Sequence, residues 1–213
     1  MASCAICAKR PPKRFCPAKG ERICAVCCGR EREVTIDCLP DCPHLVAAHR
    51  WEAQHRKPMS PDEIPYRDVS VSPDFVYERW NFVSAFSSMI LAVQIEQKDL
   101  TDDAAIAAME ALTETYRTLR TGIYYERPPI GPIARALYGQ LAKFVQEFRT
   151  ETARTGVASL KESDIFPLLV FLVRIAKQET NGRLRSRAFL GFLRARFRLP
   201  AHAAHDAPRI IIP

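Results

Sequence analysis

Beyond Cys42 the sequence has no cysteine, and glycine is scarce throughout, at eight residues in 213. So little glycine leaves no Gly-rich loop able to cradle a phosphate, and neither Gly-x-Ser-x-Gly nor His-Glu-x-x-His occurs. The commoner hydrolase, kinase and metalloprotease signatures are therefore missing, and a non-enzymatic role is expected. No run of about eighteen apolar residues exists, so no transmembrane span is predicted. The opening Met-Ala-Ser-Cys lacks a basic n-region followed by an apolar h-region, so no signal peptide is expected and the location is read as cytoplasmic. There is no internal repeat and no low-complexity segment.

What the chain does have is eight cysteines packed between positions 4 and 42. The order is Cys4-x2-Cys7, Cys16, Cys24-x2-Cys27-Cys28, then Cys38-x3-Cys42, with His44 two residues on. Cys-x2-Cys supplies two tetrahedral ligands from one turn, and two such pairs make one Cys4 zinc site. Cys16, Cys28, Cys38 and Cys42 are then the number for a second site, with His44 as a substitute for Cys42 or Cys28. Two Zn2+ ions are expected, in a cross-brace where Cys4/Cys7 and Cys24/Cys27 share one ion. Because ligands are in surplus, both sites are expected to be closed and structural. A disulfide framework belongs to secreted chains, and the close cysteine runs of iron–sulfur proteins differ from this spacing. Cys28, directly after Cys27, is either a second-site ligand or a free, redox-active thiol.

This stretch resembles the small two-zinc modules of the B-box, HIT-finger and MYND kind, most closely a B-box. There a Cys pair is followed by a lone Cys and, after seven residues, by Cys-x2-Cys, as in Cys16 to Cys24-Ala25-Val26-Cys27. The sequence departs from a B-box at Lys19, where a second-site Asp is expected, and at Cys38 and Cys42, where a B-box has paired histidines. Cys28 replaces the missing acid in this reading. The chain is also similar to bacterial proteins that begin this way and continue into a helical domain. The resemblance implies a zinc module and no particular activity.

Charge needs the same chemistry. Lys and Arg number 31 against 24 Asp and Glu, a formal +7. A Cys4 zinc site carries about −2, so two would leave about +3. Basic residues such as Arg14 and Arg32 thus serve either to balance thiolates or to face a nucleic acid.

The expected fold is mainly α: residues 1–45 a cross-brace zinc module, 46–73 a helix and a Pro-rich linker or strap, 74–199 a bundle of about five helices, and 200–213 a tail. Arg32 to Asp37 reads as a short strand. The first bundle helix starts at the cap Ser72 with Pro73 at its first position, and places Val76, Trp80, Val83 and Ile90 on one buried stripe. The second starts at Thr101, and the third at Gly131-Pro132. The fourth has Pro167 in its first turn, capped by Ser159 or Ser163, and with apolar residues all the way round should be central and buried. The fifth spans 183–198.

That last helix carries Arg183, Arg185, Arg187, Arg194, Arg196 and Arg198. It is a candidate for nucleic-acid phosphate, or a solvated face paired with acids such as Glu147, Glu151 or Glu179. Tyr124, Tyr125 and Arg127 form a candidate partner contact in a Pro-flanked loop. Glu110, Glu114, Glu147 and Glu151 lack the Glu-x-x-His companion of a di-metal site and read as surface ion pairs. His202 and His205 read as tail residues, with Ile210 to Ile212 docking on the bundle. The functional class expected is a zinc-binding adaptor with an unknown protein partner, with nucleic-acid binding as the alternative.

Overall fold

The computed structural model describes residues 2–155 and 160–197. Two short strands, β1 (Arg14–Cys16) and β2 (Glu21–Ile23), pair antiparallel with Arg14 opposite Ile23 and Cys16 opposite Glu21. Helices follow in the order α1 (Ala25–Glu31), α2 (Pro43–Gln54), α3 (Pro73–Glu78), α4 (Trp80–Glu96), α5 (Asp102–Leu119), α6 (Pro132–Thr155), α7 (Glu162–Glu179) and α8 (Ala188–Arg196). A cysteine-rich N-terminal unit is thus followed by a helical bundle. The protein is mainly helical, as the apolar periodicity requires.

The hairpin turn closes at Gly20, whose φ of 65° suits a residue without Cβ. Beyond α1 the expected strand does not form. The amides of Val34, Thr35 and Ile36 all bond to the Glu31 carbonyl, and Glu33 takes a φ of 53°. A tight turn therefore consumes the donors a strand would need. Only Arg32 and Ile36 form an isolated bridge.

The first bundle helix starts where the sequence indicates, with Ser72 Oγ accepting from the Phe75 amide and Pro73 at the first position. It then breaks at Arg79, which leaves helical geometry at φ −112°, ψ 21°. Trp80 leaves the buried stripe, is 48% exposed, and stacks on Phe197 at the end of α8. α5 is capped by Thr101 through the Ala104 amide. α7 starts between the two positions that Ser159 and Ser163 would set, at Glu162 after the cap residue Lys161. Pro167 consequently lies in its second turn, where it withholds an amide from the Ser163 carbonyl.

α8 is shorter than the arginine spacing suggests. Residues 183–187 lie outside the helix, with a turn at 184–185 closed by the Ser186 amide on the Arg183 carbonyl, and the helix begins only at Ala188. Its start is set from outside. The buried carboxylate of Asp102, on α5, accepts from the amides of Phe189 and Leu190 at 3.0 and 3.2 Å and from Ser186 Oγ at 2.6 Å. Desolvation holds this carboxyl above its ordinary value, against the pull of those donors.

α7 is buried almost without a break from Asp164 to Val173, in keeping with its apolar residues on every side, and α5 packs on it as well as on α6 and α8. Phe82 and Phe86 of α4 interlock with Phe144 and Phe148 of α6, with ring centroids 5.4 to 6.2 Å apart. Residues 57–71 lie along α7 as a strap. Arg174 donates to the carbonyls of Pro65, Tyr66 and Val69, and Gln178 both donates to the Lys57 carbonyl and accepts from the Met59 amide. Tyr66, Val69 and Val71 pack against the core.

Among the described residues no helix is long and apolar enough to cross a membrane. The positions of Gly156, Ser159, Arg198, His202, His205 and Ile210 to Ile212 lie outside the described residues.

Candidate metal centre

Two turns bring the first cysteine set together. After Cys4 the chain reverses through Cys7, with the Ala8 amide on the Cys4 carbonyl at 2.8 Å and Ala8 at φ 50°. The Cys4 amide bonds to the Arg10 carbonyl and the Ala5 amide to that of Arg22, so the turn is fastened beside β2. β2 then delivers Cys24 to the N-cap of α1, and Cys27 follows in the first helical turn. An N-cap and its third residue face the same way, which is why x2 spacing works here.

The sulfurs of Cys4, Cys7, Cys24 and Cys27 all lie within 4.8 Å of one another. A zinc tetrathiolate has Zn–S of about 2.3 Å and hence S···S edges of about 3.8 Å. The four residues fit such an ion with small side-chain adjustments. None of the eight cysteines is in a disulfide.

Backbone amides point at these sulfurs. The Cys24 amide donates to Cys4 Sγ at 3.1 Å and the Cys27 amide to Cys24 Sγ at 3.4 Å. Desolvation raises the Cys4 thiol, but amides of Cys24, Cys7 and Ile6 outweigh it and bring the group down to about 6. Amides of Lys9 and Arg10 lower Cys7 against its desolvation. Burial and the neighbouring sulfurs push Cys27 up to about 12. Four crowded sulfurs cannot all ionise against one another, and a divalent cation removes that conflict.

The remaining candidates are not gathered to the same degree. Among the described residues no other three Cys, His, Asp or Glu ligand atoms approach one another as closely. Cys16, Cys28 and Cys38 nevertheless share one apolar cluster with the first set, Ile23 and Ile36. Burial raises the Cys38 thiol, opposed by the Glu33 amide and reinforced by charge on Glu33, Cys16 and Cys42. Cys28 Sγ accepts from Arg14 Nη1 at 3.4 Å. His44 lies beside Arg14 and Arg32; desolvation lowers it, as do the charges of those two arginines.

Sequence reasoning missed the residue that joins the two units. Glu33 is almost fully buried. Its carboxylate accepts from His49 Nε2 at 2.8 Å, Asn181 Nδ2 at 2.9 Å and the Arg187 amide at 3.0 Å, while its carbonyl accepts from the Arg185 amide. Desolvation raises this carboxyl, but the His49 bond, the Arg187 amide and Asn181 bring it below the ordinary value. No local pattern marks Glu33; it is one of several acids in a charged run, and its partners on the bundle side are over a hundred residues away. Its near-side partner His49 lies on α2.

Part of the arginine set works at the same junction. Arg183 Nη1 donates to the carbonyls of Gly29 and Arg32. Arg187 binds the carbonyls of Leu100 and Lys98 and pairs with Asp37 at 2.6 Å. Arg194 reaches Gln94, and Arg196 lies over the Phe192 ring. The acids suggested as partners pair elsewhere: Glu147 with Lys143, Glu151 with Arg154 and Glu179 with Arg56. Glu110 and Glu114 pair with Lys177 and Arg117, so each of the four acids at helical spacing is in an ion pair.

The loop after α5 is open. Tyr124 and Tyr125 are 64% and 58% exposed, Ile130 is 93% exposed, and the Tyr124 hydroxyl donates to the Glu126 carboxylate. Arg127 is exposed beside them.

No protein-family profile, no curated protein and no solved structure matches the chain.

Proposed function

We propose that residues 1–45 form a two-zinc module of the B-box, HIT-finger and MYND kind, and that the chain is a non-enzymatic adaptor in which zinc is structural. The observation that carries this reading is the convergence of Cys4, Cys7, Cys24 and Cys27 on one point. Zinc is the metal favoured by a four-sulfur set from tight turns, and four protein ligands leave no open position for substrate or water. A second ion would take Cys16, Cys28, Cys38 and Cys42. Cys42 is taken as the fourth ligand because it lies close enough to Cys38 for its charge to act there, with His44 as the substitute. The closeness of Arg14 to Cys28 also suits a balanced thiolate. A module this short cannot bury enough apolar surface to fold alone, so metal would supply much of its stability.

The adaptor part of the reading is supported by the exposed loop bearing Tyr124, Tyr125, Arg127 and Ile130, residue types common at binding hot spots. Native mass spectrometry of protein purified under reducing conditions tests the metal reading. Two zinc ions and eight reducible thiols are expected, and Cys24→Ser should lose at least one ion. A Cys24→Ser protein that keeps the full metal content would refute the pairing. For the adaptor role, the same co-purifying protein should be retained by the wild type and lost from a Tyr124→Ser, Tyr125→Ser variant of unchanged helicity.

A further inference from the structure

A cavity of about 420 Å³ lies where the cysteine-rich unit meets the bundle, lined by Arg14, Arg32, His44, Trp51, Glu52 and Arg183. Its walls come from β1, the end of α1, α2 and the turn before α8, so the cationic groups are assembled by the fold rather than by a run of sequence. None of the three arginines has a carboxylate within ion-pair distance among the described residues, although acids pair with most other arginines nearby. The one acid in the lining, Glu52, accepts from Asn181.

The donors are only partly used. Arg32 Nε is buried and has no hydrogen-bond partner among the described residues, which is unfavourable for a charged group unless something accepts from it. Arg183 spends Nη1 on the carbonyls of Gly29 and Arg32, which fixes its guanidinium at the cavity wall. Arg14 has one contact, to Cys28 Sγ. Thiolate balance can account for Arg14, but not for Arg32 or Arg183. Convergent guanidiniums present paired N–H donors that match the oxygens of a phosphate. A carboxylate could satisfy one fork, whereas the dianionic oxygens of a phosphate monoester can be shared among several. Trp51, exposed at the rim, is stacked on His55 by one face, which leaves the other face for a ring carried by the same ligand. The volume is within the range of small-ligand sites.

We infer that this junction pocket binds a phosphate monoester, held by Arg14, Arg32 and Arg183, with an attached ring against Trp51. The inference does not rest on the identity of the metal or on the adaptor reading. It gives the junction a ligand that touches both units at once.

The test uses the full chain, with its metal, titrated with inorganic phosphate, adenosine 5′-monophosphate and adenosine by calorimetry and by 31P line width. In a Trp80→Phe background the remaining tryptophan fluorescence reports Trp51 alone. Saturable binding of the monophosphate is expected, with phosphate weaker and adenosine undetected. Arg32→Gln and Arg14→Gln should each weaken it roughly tenfold, the scale of one lost charge-assisted contact. Arg196→Gln, on the outer turn of α8, should leave it unchanged, and circular dichroism and metal content should match the wild type in all three. Arg183 is left intact because its side chain also ties down carbonyls. A 5′-phosphorylated trinucleotide that binds tighter than the mononucleotide would place the phosphate on a strand end; equal binding would place it on a free ester. No saturation up to about 10 mM, or equal losses in Arg32→Gln and Arg196→Gln, would overturn the site.

Discussion

Glu33 shows how much one side chain can be asked to do. Buried carboxylates are stable only when donors replace water, and here every donor but His49 comes from the far side of the junction. Its carboxyl is held below the ordinary value, so its contribution is present above the unfolded-state pKa and is lost as pH falls through the lower folded-state value. Stability measured by denaturant between pH 7 and pH 3 should therefore drop more steeply in the wild type than in Glu33→Gln. The glutamine keeps an acceptor but does not titrate. Parallel curves would mean that the carboxylate is not charged in the folded protein. The cysteines obey a similar logic. Amide donors stabilise charge on Cys4 while crowding opposes it on Cys27, and a cation at the centre reconciles the two. Metal release should accordingly be steeply pH-dependent in acid, as protons compete for the sulfurs.

Single elements here are bounded by partners outside themselves. The N-cap residue of α8, Arg187, makes no side-chain cap bond; Ser186 Oγ accepts from the Ala188 amide, and the carboxylate of Asp102 on α5 takes the next two. Removing it leaves two buried amides and Ser186 Oγ without their acceptor. Asp102→Ala should cost about 3 kcal/mol, lowering Tm by roughly 6–12 °C for a chain of this size. Asp102→Asn should recover part of that, because one oxygen can still accept. A loss under about 1 kcal/mol would show that α8 does not depend on this cap. The Arg79 break between α3 and α4 is a second case: an otherwise continuous apolar period is interrupted and Trp80 is turned outward.

For the whole molecule the question is how the two units depend on each other. The bundle has its own extended core from α3 to α8, whereas the N-terminal unit has a small cluster made largely of cysteine. Chelation under reducing conditions should abolish the structure of residues 2–45 and leave most far-UV helicity intact. Hydrogen exchange read by segment would check this, and a cooperative loss of both would refute it. Their contact is anchored by Arg187, which binds Leu100, Lys98 and Asp37 at once. Arg187→Ala should raise exchange across 29–38 and 181–187 together, at a cost of about 2 kcal/mol, with metal content unchanged.

The amino-acid sequence by itself determined the local features. Periodicity marked the buried stripe of Val76, Val83 and Ile90, while Ser72 and Thr101 marked starts that backbone chemistry enforces. The x2 spacing of Cys4/Cys7 and Cys24/Cys27 marked two turns whose sulfurs meet, because a turn is a local object. The tertiary structure alone decided what depends on distant partners. It shortened α8, because its cap belongs to Asp102, and set α5 against α6, α7 and α8 at once, because those partners are brought together only by folding. It replaced the strand expected at 32–37 with a turn, because donors went to the Glu31 carbonyl. It also spent Arg183 and Arg187 on the junction, because carbonyls and Asp37 there lie within reach only after folding. Spacing along a chain encodes the nearest few residues; charge pairing and burial are settled by residues a hundred positions away.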